Sequence, residues 1–526
     1  METDSQARRD VDVLVVGYGP VGATIACLLG QYGVRVLVID KSPDVYGAPR
    51  AIALDNEALR VLQMAGLDEV SFERVVIPFV RMRCPYVGEF SRVNTSGAID
   101  GHPKLVTFFQ PDLERALRAK VAEHGTVQTR LGVELQSFVD HGGGVDAALQ
   151  LADGRAFTVR AKYLVGADGA SSFVRGAIGQ EFDGQTYPED WLIVDARHVP
   201  HPIDHVEFLC DPHRAVPHMV APGQRERWEF LLRPGEKPED MERPGAIREL
   251  LKPWGTPEEM QIERTAVYRF HARCCDAFSK GRVFLAGDAA HVTPPFVGQG
   301  LVAGFRDAAN LSWKLAAVTK GHATPTILSS YDEERRPHAK AMIGLAKLMG
   351  HLVMPKNAFA AVLNHGLVRT LRLFPPLRHF LDDLGIKPKN RFRRGLFVRG
   401  GGPLVRGGQL PQGLVRDASG ATRLSDVILG PGLTLLGFGV DPSQRLTPDA
   451  ARAWTAAGGT VAQIAQRGRP LHQAGNAFED LDDVFIPAAT PIGWLAVIRP
   501  DQVVLHQGPV AEADRVVRES LALMNA

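Results

Sequence analysis

Residues 11 to 16 (VDVLVV) form a nearly unbroken apolar run, and residues 34 to 40 (VRVLVID) form a second. The intervening residues 20 to 32 have a helical composition, so the start of the chain predicts a β-α-β unit whose parallel strands are buried on both faces. An amphipathic helix is predicted over 110 to 124 (QPDLERALRAKVAEH). Residues around 145 to 165 alternate like an added antiparallel piece before the chain returns with KYLVGADG. From 187 to 273, short alternating runs such as WLIVDARHV, AVPHMVA and RWEFLL are separated by Pro and Gly, which predicts a mainly antiparallel sheet inserted into the first unit. GRVFLAGDAAH, from 281, reads as a return to a buried strand, and GLVAGFRDAANLSWKLAAVTKG as a strong helix, with more helix to about 385. The Gly- and Arg-rich stretch RFRRGLFVRGGGPLVRGGQLPQG reads as a linker, and strand-like runs and a terminal helix follow it.

At 526 residues the chain exceeds the roughly 250 to 300 at which one core divides, so two or three domains are expected. The pattern assigns residues 1–186 and 274–395 to a nucleotide-binding domain with added helices, 187–273 to the inserted sheet, and 396–526 to a small α/β domain. Lys plus Arg number 60 against 59 Asp plus Glu, a balance that favours neither nucleic acid nor a membrane surface. The five cysteines are scattered without C-x-x-C spacing, which points to a reducing cytoplasm, away from a disulfide framework, and to no metal site. Adjacent Cys274 and Cys275 read as chance packing, since neighbours rarely bridge.

Gly17-Tyr18-Gly19-Pro20-Val21-Gly22 is a G-x-G-x-x-G between a predicted strand and helix, and Asp40 ends the next strand, with Lys41 after it. The first glycine permits the turn, the second lets backbone approach a pyrophosphate, and the third lets helix and strand pack closely. The helix N-terminus attracts the phosphates and the acid accepts from a ribose hydroxyl, so FAD or NAD fits and NADP does not. A merely Gly-rich core turn is the bland alternative. Two further motifs are Gly166-Ala167-Asp168-Gly169 and Gly287-Asp288-Ala289-Ala290-His291, the latter leading to Pro294-Pro295-Phe296-Val297-Gly298-Gln299-Gly300.

Together these motifs resemble those of the flavoprotein aromatic hydroxylases of the phenol hydroxylase family, and VYRFHARCCDAFSKGRVFLAGDAAHVTPPFVGQGLVAGFRDAANLSWKL is similar to its hydroxyphenylpropionate hydroxylases. The resemblance covers essentially the whole chain. It implies an α/β fold: a Rossmann-type FAD-binding domain, an inserted antiparallel substrate sheet and a thioredoxin-like C-terminal domain lacking C-x-x-C. It also implies that Asp288 binds the ribityl chain of FAD, that Arg50 and Gln110 contact the same cofactor, and that Asp168 lies near it. Gly298, Gly300, Leu301 and Val302 would present backbone N–H groups to the flavin ring, and the Pro295 carbonyl would face the substrate.

The implied reaction takes hydride from NADH or NADPH, adds dioxygen at flavin C4a and transfers hydroxyl from the hydroperoxide to a phenolic ring. Phenolic substrate and dioxygen are the expected partners, and the resemblance leaves room for a homodimer. Candidate substrate-side residues are His218 and Tyr187, as acceptors of the phenol proton, with Arg197, Arg269 and His271 as possible carboxylate partners; each also has a structural reading. His291 is expected to fix its loop. A tailoring hydroxylase of polycyclic polyketides or antibiotics, a flavin-dependent dehydrogenase and a flavin-binding sensor are the competing readings. A disulfide reductase is disfavoured because no second strand-G-x-G-x-x-G-helix unit exists, and the flavin halogenases because their W-x-W-x-I-P motif is missing.

Overall fold

The computed structural model describes residues 9–255, 259–382, 387–469, 471 and 476–525. Strand β1 (Arg9–Val16), helix α1 (Pro20–Gln31) and strand β2 (Val36–Asp40) form the expected opening unit, with β1 and β2 parallel and Val13 beside Val36. The sheet extends past β2 to Val127–Leu131, and on the other side β1 lies parallel to Ala156–Gly166. The last strand is bordered by two others. Its first half pairs antiparallel with Val145–Leu151, and its last residues pair parallel with Val283–Leu285. Leu14, Val15, Leu164, Val165 and Leu285 are wholly buried, which is why these strands read as apolar runs without alternation.

A second, eight-stranded sheet contains Phe182–Arg197, Val206–Leu209, Val216–Ala221, Arg225–Leu231 and Gln261–Cys275. It also takes Phe79–Cys84 and Gly88–Asn94 from much earlier in the chain; Val206 pairs in parallel with Val80. Those two strands carry charges at their exposed positions and only Met82, Cys84, Phe90 and Ser91 are buried, so their hydrophobic signal is weak.

A third sheet of seven strands lies in the C-terminal part, with Thr434–Phe438 parallel to Thr460–Ala465 and antiparallel to Trp494–Ile498. The Gly- and Arg-rich stretch before it is docked rather than free: the Val398 N–H donates to Leu505 O at 2.8 Å and the Leu404 N–H to Gln507 Oε1 at 2.9 Å. The helical stretch expected to about 385 is described to Asp382, and 383–386 lie outside the described residues. Among the described residues no helix is long and apolar enough to cross a membrane.

The C-terminal sheet is tied to the rest through buried charge. Arg499 donates to both oxygens of Glu334 at 2.7 and 2.9 Å and to Asp501, while Lys314 reaches Glu334 at 2.8 Å and Asn310 reaches Asp501 at 3.1 Å. Burial outweighs the neighbouring carboxylates and lowers the Lys314 pKa to about 8. Removing Arg499 leaves two buried carboxylates, Glu334 and Asp501, with Lys314 as their nearest cation in low dielectric. Arg499→Ala is therefore expected to destabilise the fold by about 3–5 kcal/mol, read as a lowered midpoint in denaturant melts; an unchanged midpoint would refute the network's role.

Candidate active site

Four strand ends meet at one edge of the first sheet. β1 runs into Gly17, β2 ends at Asp40, Ala156–Gly166 runs into Ala167-Asp168, and Val283–Leu285 into Gly287-Asp288. Parallel pairing enforces this convergence, because every carboxyl end then points the same way.

At the opening turn, Gly17 has φ +102°, and a Cβ there would lie 2.3 Å from the Ala167 carbonyl oxygen. A Cβ on Gly22 would lie 1.9 Å from the Gly17 oxygen, while one on Gly19 would have nothing within 4 Å. The outer two glycines are thus demanded by backbone packing, and the middle one keeps an approach to backbone open at the N-terminus of α1. No side chain caps that helix, and Pro20 and Val21 border the same space. Asp40 accepts the Tyr18 N–H at 2.7 Å and the Ser42 N–H at 2.8 Å, tying the turn to β2.

Gln110 Oε1 accepts the backbone N–H groups of both Arg50 and Ala51, at 2.9 and 2.8 Å, and its amide donates to Glu114. Gln110 thereby shapes the loop that carries the exposed Arg50 guanidinium over the Tyr46 ring. Asp168 accepts the Val174 N–H through Oδ2, while Oδ1 is buried without a partner. Asp288 makes no hydrogen bond among the described residues. Burial, opposed by His291 and Arg50, holds its carboxyl above the usual range. His291 donates toward Asp307 at 2.7 Å, and Asp307 also receives the Gly287 N–H at 3.0 Å and Arg335 at 2.9 Å. His291 therefore clamps the Asp288 loop. Burial would raise Asp307, but His291 and Arg335 outweigh it and hold its pKa low.

A cavity of about 490 Å³ runs from Gly19 past Arg50 and Asp288 to Pro295, Gly298, Gly300 and Leu301, and on to the inner face of the eight-stranded sheet. Gly298 sits in the left-handed region at φ +62°, and the helix Gly300–Thr319 begins there without a side-chain cap, with Val302 buried beneath. Its first-turn N–H groups and dipole make this end favourable to negative charge. At the far end the wall is apolar, with Val80, Met82, Phe208, Met219 and Phe296. The open Gly19, the uncapped helix starts and two acids without full partners suit a dinucleotide with hydroxyl donors and a pyrophosphate.

Residues 10–346 match the FAD binding domain family and residues 407–523 the HcaD C-terminal domain family. The chain is 36% identical to 3-(3-hydroxy-phenyl)propionate/3-hydroxycinnamic acid hydroxylase 2 of Burkholderia vietnamiensis, over 96% of this chain and 95% of that one. It is 32% identical to the corresponding hydroxylase of Comamonas testosteroni, over 100% and 99%. The chain belongs to the FAD-dependent aromatic hydroxylases. The fold of this hydroxylase also matches the flavin-dependent monooxygenase PieE in complex with FAD and substrate (TM-score 0.82, 22% identity, 98% and 99% coverage). Aklavinone-11 hydroxylase in ternary complex with FAD and aklavinone is a further structural match (TM-score 0.76, 25% identity, 99% and 100% coverage).

Not every residue singled out from the hydroxylase sequence reaches the cavity. His218 is 1% exposed, bonds Glu226 at 2.5 Å and stacks on Trp228 at 4.6 Å. Its strand neighbours Pro217 and Met219 line the cavity, so strand alternation turns His218 to the opposite face, and it is not placed to take a phenol proton. Arg269 is half exposed and held by Asp190 through two 2.8 Å bonds, outside the cavity. Tyr187 packs edge-on against Phe296 at 6.1 Å, behind the wall. Arg197 pairs with Glu263 and His271 meets Thr186, while Lys41 is exposed away from the cavity.

Sequence reading passed over Lys104, Asp55, Lys387 and Glu229, all of which line the cavity. For Glu229 a signal exists: in RWEFL it is an acid between two aromatic residues. Asp55 lies five residues after Arg50 in PRAIALDNEALRVL, a segment in which only Arg50 carries the resemblance, and Lys104 and Lys387 come from segments with no motif.

Gly19→Ala is expected to fold normally, since its Cβ meets nothing, yet to purify with little flavin. Absorbance of the purified protein checks this, and a full FAD complement would refute the open-approach role. Asp288→Ala is expected to lose flavin likewise.

Proposed function

We propose that this hydroxylase places one atom of dioxygen on a phenolic ring that carries a short carboxylated side chain, hydroxyphenylpropionate-like, while consuming reduced nicotinamide. The observation that carries the reading is the continuity of one cavity from the glycine turn to an apolar sheet face, in a chain similar over its whole length to hydroxylases named for such substrates. Bound FAD supplies the activation of dioxygen with electrons from the nicotinamide.

The chain's own residues do the rest. Gly19, Pro20 and Val21 would receive the pyrophosphate at the α1 N-terminus, with Gly17 and Gly22 shaping the turn, Asp40 would take the adenosine ribose, and Asp288 the ribityl hydroxyls. Asp168, Arg50 and Gln110 shape and charge the middle of the cradle, and the turn from Gly298 to Val302 faces the flavin ring. The Pro295 carbonyl and the Phe296 ring border the substrate, and the apolar wall excludes water from the reacting centre. Lys104 lines the cavity without an ion pair among the described residues, and it is the cation we assign to the substrate carboxylate. The reading includes a C-terminal domain of thioredoxin-like form without a redox role, and a cytoplasmic setting.

Oxygen uptake and NADH oxidation with a panel of phenols test it. Stimulation by hydroxyphenyl-alkanoic acids with a hydroxylated product is expected; no stimulation by any phenol would overturn the reading, and turnover of polycyclic phenols alone would replace the substrate class. Lys104→Met is expected to raise KM about tenfold for a carboxylated phenol, about 1.4 kcal/mol, with little change for a neutral one.

A further inference from the structure

We propose that Glu229 is the group that accepts the proton of the substrate's phenolic hydroxyl. The inference rests on the phenolic reading of the substrate and deepens it.

The strand Arg225–Leu231 divides its side chains between two faces. Trp228 and Phe230 join the apolar cluster with Leu192 and Val194 on the outer face. Glu229 pairs across the sheet with Ile193, which packs in the cluster of Met82 and Phe296 on the cavity side. The carboxyl of Glu229 borders the same cavity, is 8% exposed, and has no hydrogen bond or ion pair among the described residues. An enclosed carboxylate without a partner is costly to the fold, and no structural duty offsets that cost here.

The charged groups facing it are otherwise engaged. Arg227 donates to both oxygens of Asp195, at 2.6 and 3.0 Å, and to the carbonyls of Pro49 and Arg50. Arg264 is held by Pro49 O, Asp195 and the Tyr268 hydroxyl. Asp195 thus takes up the cations that would otherwise pair with Glu229. Burial pushes the Glu229 pKa up to about 7, with Arg227 and Arg264 pulling it down and Asp195 pushing it further up. A base with a pKa near the operating pH combines availability with driving force.

The step is a proton transfer without redox change. The phenolic O–H bond breaks, a carboxylic O–H bond forms on Glu229, and the electron pair left on oxygen spreads to the ortho and para carbons, which makes them stronger nucleophiles. The proton later passes to water; the proton transfer itself needs no oxidant or reductant, and the hydroxylation that follows draws its oxygen from dioxygen and its electrons from the reduced nicotinamide.

The test compares wild type, Glu229→Gln and Glu229→Asp in hydroxylated product formed per NADH consumed, across pH. Wild-type hydroxylation is expected to rise with pH through about 7, where Glu229 loses its proton, and then level. Glu229→Gln is expected to retain FAD, to lose that rise and to fall about a hundredfold in product formation; Glu229→Asp should keep the rise at reduced rate. A fluorinated phenol, which ionises more readily, should shrink the Gln deficit. A Gln variant with wild-type rate and pH profile would overturn the proposal, as would a deficit equal for all phenols, which marks a packing role. A wild-type enzyme inert toward every phenol would overturn the functional reading beneath it, an outcome distinct from the behaviour of the variant.

Discussion

The structure depends on backbone meeting backbone at one turn. Gly17 and Gly22 bring β1, α1 and the Ala167 loop together at distances that leave no room for a single methyl group. That contact sets the spacing between the first strand, the first helix and the strand Ala156–Gly166, and so fixes where Asp168 and Asp288 emerge. The cavity reaches this turn because the turn, closed at Gly17 and Gly22, is open at Gly19.

What the sequence made legible follows from how local the physics is. The glycine turn, its flanking apolar strands and the acid at residue 40 interact within one short unit, so their spacing carries the structure directly. The loop from Gly287 to Gly300 was readable for the same reason, including the clamp role of His291. The second sheet was legible only in part: its strands from 182 to 275 alternate clearly, but Phe79–Cys84 joins through a parallel pairing with residues more than a hundred positions away. Which face a side chain takes was the weakest inference. His218 and Glu229 belong to neighbouring strands of one sheet, and although Glu229 stands between two aromatic residues, which face of the sheet lines the cavity is set by the other sheet and not by either strand.

Two classes of buried charge divide the protein. Most acids and arginines inside it are paired, such as Asp307 with His291 and Arg335, or Asp195 with Arg227, and these hold loops in place. The cavity acids Asp288 and Glu229 are different because burial raises their pKa values without a full set of partners. Paired charge holds loops and sheets together, and the incompletely paired acids lie at the cavity, where perturbed carboxyls gather at functional sites.

The helix Gly300–Thr319 has its first residues at the cavity and its middle, Asn310 and Lys314, in the polar knot with Glu334, Arg499 and Asp501. The last quarter of the chain therefore acts as a splint on the helix whose N-terminus borders the cavity. Without Arg499, buried Glu334 would keep Lys314 and Asn310 but lose its bidentate cation, so the C-terminal part completes a charge group that begins in the helices of the nucleotide-binding part. A pared-down version ending before the third sheet would be a different folding problem, with its cofactor edge loosened from a distance.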